Sequence, residues 1–206
     1  MKVTTMILGP AATNTYIVHR CKGTKAVIID PSGCGREILD RLNALELEPQ
    51  AILITHGHFD HIQGVDVLRK TLNIPAMATE AAAKMAASPE LNCSVLFGIE
   101  GGVTAQVDVI LNPKEQVNLG WVTFDIIDTP GHAEGHICFF EPVTKLLFAG
   151  DCIFKDGGIG RYDLPTSDRD ELMASVKTLM QLPKDTLVLA GHGGGTTIDE
   201  ERKHHD

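Results

Sequence analysis

The segment Thr55-His56-Gly57-His58-Phe59-Asp60-His61 places three imidazoles and one carboxylate in a single short stretch of chain. These are the nitrogen and oxygen donors that a borderline divalent cation prefers. Four such side chains between positions 56 and 61 are too many to converge on one ion from one loop. They suit two ions a few ångströms apart, the arrangement that two-metal hydrolases use. His56 and His58 sit just beyond Ala51-Ile52-Leu53-Ile54-Thr55, which reads as a short buried strand and fixes the backbone where the side chains emerge. Asp60 and His61 open the following helix, where adjacent residues point in different directions.

Three isolated residues repeat that placement. His132 in Thr129-Pro130-Gly131-His132 follows the strand 124–128, and Asp151 in Gly150-Asp151 follows the strand 146–148. His192 in Gly191-His192-Gly193 follows the strand 187–190. A single Gly-His pair carries little weight. Together they put a donor at the carboxyl end of each of several strands, where sheet proteins keep their sites. The flanking glycines let backbone approach a crowded centre closely.

The elements that must position these donors follow from the hydrophobic pattern. The first strand is stopped by Gly9-Pro10, and strands at 15–19 and 25–29 follow, the latter closed by Asp30-Pro31-Ser32-Gly33. Ile38, Leu39, Leu42 and Leu45 give one apolar helical stripe, which Pro49 ends. A helix from about Asp60 carries Ile62, Val65, Leu68 and Leu72, and an alanine-rich helix spans 79–87. Periodicity fails over 88–119, a length that in a compact domain marks a working or mobile segment. Strands resume at 121–128, 137–140 and 146–148. The last helix is expected over 169–181, capped by Ser167 with Asp170, and the final strand over 186–190. Strands in two groups alternating with helices predict an α/β protein of two sheets with helices on their outer faces.

Composition bounds the function. The 206 residues, 43% of them hydrophobic, fit one domain, 1–206, with a real core, and exclude disorder and coiled coil. A net charge of −9, from 18 basic and 27 acidic residues, argues against nucleic acid and anionic membrane surfaces as partners. The N-terminus has no apolar signal region, and no apolar run reaches the ~20 residues of a membrane span. Five cysteines, an odd number with no C-x-x-C pair, read as reduced. A cytoplasmic protein is the expectation.

The pattern His56-x-His58-x-Asp60-His61 followed by His132, Asp151 and His192 resembles the metallo-β-lactamase-fold hydrolase superfamily, from the Asp30-Pro31 turn to Gly191-His192-Gly193. The resemblance implies a four-layer αββα sandwich with metals at one edge of the two sheets. It assigns His56, His58 and His132 to one metal, Asp60, His61 and His192 to the other, and Asp151 to a bridge. Within the superfamily the chain is most similar to the compact glyoxalase II-like (hydroxyacylglutathione hydrolase-like) group that lacks the C-terminal helical domain. The features that carry this are Asp60-His61, the run from Thr129 to His136, Gly158-Ile159-Gly160-Arg161, and Thr196-Thr197-Ile198-x-Glu200-Glu201.

The implied activity is thioester hydrolysis by a metal-bridging hydroxide, with two divalent ions, zinc first and iron or manganese as alternatives. Asp151 would set the metal separation, and Asp60 would help orient the hydroxide. A small acyl-thioester, with or without glutathione as carrier, is the implied substrate. Arg161 with Lys155 is a candidate clamp for a substrate carboxylate, or Arg161 pairs structurally with Asp163 or Asp156. Tyr162 lines the pocket or packs in the core. His136 reads as a supporting or packed residue, Asp30 as a turn cap, and His19, His204 and His205 as solvated. Cys152 is turned away from the donors by strand alternation. Leu91, Asn92, Leu96 and Phe97 either wall an acyl pocket or cover a sheet edge. A mononuclear-iron persulfide dioxygenase using His56, His58 and Asp151, and a lactone or small-ester hydrolase, are the competing activities. β-Lactam cleavage is disfavoured by the missing export signal. A closed structural zinc site fits poorly, because it takes four ligands and the chain offers seven candidates.

Overall fold

The computed structural model describes residues 1–205, which cluster into two compact units, the first ending at Leu111 and the second beginning at Asn112. The first unit runs β1 (Lys2–Leu8), β2 (Thr13–His19), β3 (Lys25–Ile29), α1 (Arg36–Ala44), β4 (Glu48–Leu53), α2 (Phe59–Ile62), α3 (Val65–Leu72), β5 (Ala76–Ala78), α4 (Glu80–Ala86) and β6 (Val109–Ile110). Its six strands form one mixed sheet in sequential order. β1, β2 and β3 are an antiparallel meander; β3 to β6 are parallel.

Parallel neighbours need crossovers, and crossovers of one hand advancing in one direction put their helices on one face. That face is a single cluster: Ile28, Ile52, Ile54, Ala76 and Ala78 from the strands meet Ile38, Leu42, Ile62, Val65, Leu68, Ala82 and Ala86 from the helices. The small residues of β5 and α4 let that helix lie close to the sheet. Val27, Ile29 and Leu53, on the opposite face by alternation, are buried as well, as parallel strands require. Each large aliphatic buried here contributes about 1.5–3 kcal/mol.

The second unit runs β7 (Gln116–Asn118), β8 (Thr123–Asp128), β9 (Ile137–Glu141), β10 (Leu146–Gly150), a single helical turn at Lys155–Gly157, α5 (Arg169–Leu179), β11 (Leu187–Ala190), β12 (Thr196–Thr197) and α6 (Ile198–His205). Its sheet order is β12-β11-β10-β9-β8-β7, antiparallel except for the β10–β11 pair, which α5 connects. Leu172, Val176 and Leu179 of α5 and Ile198 of α6 pack on Cys138, Leu147, Ala149 and Val188. Phe124, Phe139 and Phe148 form an aromatic cluster, with ring centroids 6.3 and 6.0 Å from Phe124 in edge-on geometry.

Several sequence expectations are corrected. Pro49 does not end α1, which stops at Ala44; it lies inside β4, opposite Ala26, next to a shift in the ladder register where a missing N–H costs little. The helix expected from Asp60 is two helices, α2 and α3, separated around Gly64. α5 is capped by Asp168, whose side chain accepts from Glu171 N–H, while the Ser167 hydroxyl donates to the His132 carbonyl at 2.7 Å. α5 is not the last helix, since α6 follows it. β5, β6, β7 and β12 are two or three residues long, too short to show a period. His19 is buried beside the Thr4 hydroxyl at 3.2 Å rather than solvated. His204 is exposed on α6, but His205 is half-buried, and burial lowers its imidazole pKa. No helix among the described residues is long and apolar enough to cross a membrane.

Candidate metal centre

In the first unit, the chain leaves β4 at Leu53 and delivers His56, His58, Asp60 and His61 before and within α2. All four are buried. A donor atom of His56 lies within 4.8 Å of one on His58 and of one on His61, and Asp60 and His61 are equally close. The His56 ring centroid is 4.7 Å from that of His58 and 4.2 Å from that of His61.

Asp30 organises this group. Its carboxylate accepts from Thr55 N–H at 2.8 Å, from the Thr55 hydroxyl at 2.7 Å and from His61 Nδ1 at 3.0 Å. A carboxylate only accepts, so His61 carries its proton on Nδ1. The Thr55 hydroxyl, having given its proton to Asp30, accepts from His56 Nδ1 at 3.0 Å. Both imidazoles therefore present the Nε2 lone pair, the atom a cation takes. Asp30, read from sequence as a turn cap, is instead the proton anchor for two candidate ligands. Asp60 is held in turn by the Thr13 hydroxyl on β2, 2.7 Å from Oδ2. Sequence reasoning missed Thr13; its only signal is a threonine in a wholly buried strand.

In the second unit, His132, Asp151 and His192 emerge after β8, β10 and β11. The β10–β11 register shifts between Phe148 and Gly150, where Gly150 has φ 48°, and this turns Asp151 out of the ladder. Asp151 Oδ2 lies 3.6 Å from His132 Nε2 and 3.4 Å from His192 Nε2. His132 donates its Nδ1–H to the carbonyl of Arg161 at 2.9 Å, which again leaves the lone pair on Nε2. His136 supports Asp151 from behind: Nδ1 donates to the Thr129 hydroxyl at 2.8 Å, and Nε2 accepts from the Asp151 backbone N–H at 3.1 Å.

Gly160 passes so close beneath these residues that a Cβ there would come 2.0 Å from the Asp151 carbonyl oxygen and 2.9 Å from His132 Nδ1. Any side chain at position 160 would displace both donors. Cys152, next to Asp151, is fully buried; its contact with Cys138 and then burial push its thiol well above the ordinary range, so it stays a neutral packed group.

The donor set fits a divalent metal. His132 Nε2 and Asp151 Oδ2, and likewise His61 Nε2 and Asp60 Oδ2 at 3.5 Å, are pairs of lone-pair-bearing atoms that face one another. With neutral imidazoles each pair is repulsive unless a cation lies between its members.

The three residues proposed for substrate lie outside this donor set. Arg161 is exposed and gripped bidentately by Asp163, Nε to Oδ1 and Nη2 to Oδ2 at 2.9 Å each, and the guanidinium lowers the Asp163 pKa. Tyr162 is 46% exposed, with the Arg169 guanidinium 5.8 Å from its ring, so it is not a core tyrosine. Lys155 opens the helical turn before Gly158. In the first unit, Phe97 stacks 5.6 Å from Phe59, and Leu91, Val95 and Leu96 are exposed beside it. Asn92 is buried instead: it bonds to the Val103 carbonyl and to Ser94 N–H, and its own carbonyl accepts from Phe59 N–H.

The chain is 36% identical over 205 residues to a probable metallo-hydrolase, YqgX, of Bacillus subtilis, covering 98% of this chain and 95% of the relative. It is 33% identical over 180 residues to the hydroxyacylglutathione hydrolase GloC of Haemophilus influenzae, covering 86% and 84%. The crystal structure of the B3 metallo-β-lactamase BLEG-1 superposes with a TM-score of 0.94 at 35% identity, over 99% of this chain and 98% of that one. The protein TTHA1623 in a di-iron-bound form superposes with a TM-score of 0.85 at 33% identity, over 98% of each chain. The metallo-β-lactamase superfamily model matches residues 8–192, nearly the whole span between the first strand and the last candidate ligand. The chain belongs to the metallo-β-lactamase superfamily and has its fold.

Proposed function

We propose that this protein is a dimetal hydrolase of acyl thioesters, close in reaction to hydroxyacylglutathione hydrolase. The observation that carries it is the 33% identity to the Haemophilus hydroxyacylglutathione hydrolase over 86% of this chain, taken with the seven candidate His and Asp donors present in this sequence. His56, His58 and His132 are proposed to hold one ion, Asp60, His61 and His192 the other, and Asp151 to serve both. In this reading residues 1–206 work as one domain in the cytoplasm. Zinc is the proposed metal; the similarity to a protein seen in a di-iron form keeps iron as the alternative.

Two bound cations supply a water acidic enough to ionise near neutral pH and a positive site for the oxyanion of an attacked acyl carbon. The chain's residues do the rest. Asp30 and Thr55 keep the protons of His61 and His56 on Nδ1. Thr13 fixes the rotamer of Asp60. A thiolate leaving group has a pKa of about 8.5 and departs without a strong acid, so no protein proton donor is needed. Arg161, Lys155 and Tyr162 are proposed to meet the carrier end of the substrate, with Asp163 yielding Arg161 to a substrate carboxylate. Phe97 and Leu96 are proposed to wall the acyl end.

The test is elemental analysis of natively purified protein, with hydrolysis of S-D-lactoylglutathione and oxygen uptake followed together. About two metals per chain with thioester turnover supports the proposal. One iron per chain, no thioester turnover, and oxygen uptake with a persulfide overturns it in favour of a dioxygenase. The likeness to a B3 metallo-β-lactamase favours a second reading, opening of a strained cyclic amide or ester by the same donors. Turnover of a chromogenic β-lactam or a lactone in preference to the thioester would establish that one.

A further inference from the structure

Glu201 on α6 is 1% exposed and takes three hydrogen bonds on its carboxylate. Asp156 N–H donates at 3.2 Å, Gly157 N–H at 2.8 Å and the Thr196 hydroxyl at 2.6 Å. A carboxylate is removed from water at low cost only when such donors replace the water, so α6 and the turn at 155–157 are tightly joined. The turn also needs holding. Asp156 sits at φ 63°, a left-handed conformation unfavourable for a residue with a side chain. Gly157 lies flat against His204 of α6, where a Cβ would come 2.8 Å from the His204 Cβ.

From this turn the chain runs straight to the centre. Phe154 N–H closes on the Gly158 carbonyl at 2.8 Å, and Ile153 pairs with Ile159. Gly160 then forms the floor beneath Asp151 and His132, and the Arg161 carbonyl receives the His132 Nδ1 proton. One end of this loop is pinned by Glu201; the other sets the tautomer and position of His132.

We propose that Glu201 is a positioning residue for the metal centre, pinning the 155–161 loop so that Gly160 and Arg161 hold Asp151 and His132 in register. This rests on the proposed metal role of those two residues. Its reach is notable because Glu201 belongs to the helix that follows the last ligand, nine positions after His192.

The test compares Glu201→Ala, Glu201→Gln and Arg202→Ala. Arg202 ties α6 to the carbonyls of Met180 and Leu182 at 2.7 and 2.8 Å, on the side of α5 rather than of the loop, so it controls for simple loosening of the helix. Zinc affinity of metal-stripped protein is measured by competition with a chromophoric chelator. The His132 Nδ1–H signal of the stripped protein is followed by 15N NMR, and Tm is recorded for each variant. Glu201→Ala is expected to weaken zinc binding by about tenfold or more and to shift or broaden the His132 signal. Glu201→Gln, which keeps acceptor oxygen but loses charge, falls between Ala and wild type. Arg202→Ala lowers Tm while leaving zinc affinity within about twofold and the His132 signal in place. Equal zinc loss in Arg202→Ala, or wild-type affinity and an unmoved signal in Glu201→Ala, overturns the proposal. Wild-type protein that takes up no zinc, iron or manganese overturns the metal reading itself; the His132 signal still reports whether Glu201 holds the loop.

Discussion

Asp30 accepts the Nδ1 proton of His61 across 3.0 Å, joining the turn after β3 to the first residues of α2. The same carboxylate holds the Thr55 hydroxyl that receives the His56 proton. One buried anion thus fixes the tautomers of two candidate ligands. Asp30→Asn retains an acceptor oxygen but loses the charge that raises imidazole basicity. Zinc affinity is expected to fall about 10- to 100-fold, with a smaller change in Tm. Competition with a chelator checks it, and wild-type affinity in the variant would remove Asp30 from the centre.

Metal removal should be visible in stability as well as in activity. A ligand that binds only the folded state at a hundred times its dissociation constant adds about 2.7 kcal/mol. Stripped protein is therefore expected to melt several degrees lower than protein refilled with zinc. The rise in Tm should saturate at two equivalents. A thermal scan against zinc concentration measures this directly, and a Tm that ignores zinc would contradict the donor assignment.

Phe124 is fully buried and meets both Phe139 and Phe148 edge-on. Phe124→Ala removes a large ring from a packed cluster and is expected to cost about 3–5 kcal/mol of stability. Urea denaturation of the metal-free protein isolates this effect from metal binding. A loss below about 1 kcal/mol would mean that the cluster collapses around the gap.

Asp108 pairs bidentately with Arg69 and accepts from Ala76 N–H at 2.9 Å, clamping the start of β5. The Arg69 bond lowers the Asp108 pKa below the ordinary carboxylate value. A depressed folded-state pKa contributes stability above the unfolded value, about 3.9, and that stability is lost as pH falls through the folded value. Asp108→Asn should lower Tm near neutral pH and make the fall in Tm below about pH 4 shallower. Parallel acid limbs for variant and wild type would show that the pair is screened.

The sequence is most informative where chemistry is local. Residues 55–61 hold four donor-type side chains beside an isoleucine-rich strand, and no tertiary information is needed to single that stretch out as a candidate cation site. Long elements were equally legible: β2, β3, α1 and α5 lie close to where the apolar pattern put them, because the two helices bury one stripe over several turns and the two strands carry runs of buried apolar residues. Short elements were not. β5 at three residues and β12 at two have no period to detect; they exist because a neighbouring strand already offers its open edge.

What only the tertiary structure decided is which polar residues serve the donors. Asp30, Thr13, His136 and Glu201 lie 31, 47, 15 and 45 positions from the groups they bond. A hydrogen bond requires about 3 Å of spatial separation and is indifferent to distance along the chain. The sequence alone therefore determined the chemistry available to this protein. The orientation of that chemistry was decided when β-strands and α6 brought remote side chains into contact, since a buried carboxylate or hydroxyl finds its partner through packing rather than through adjacency.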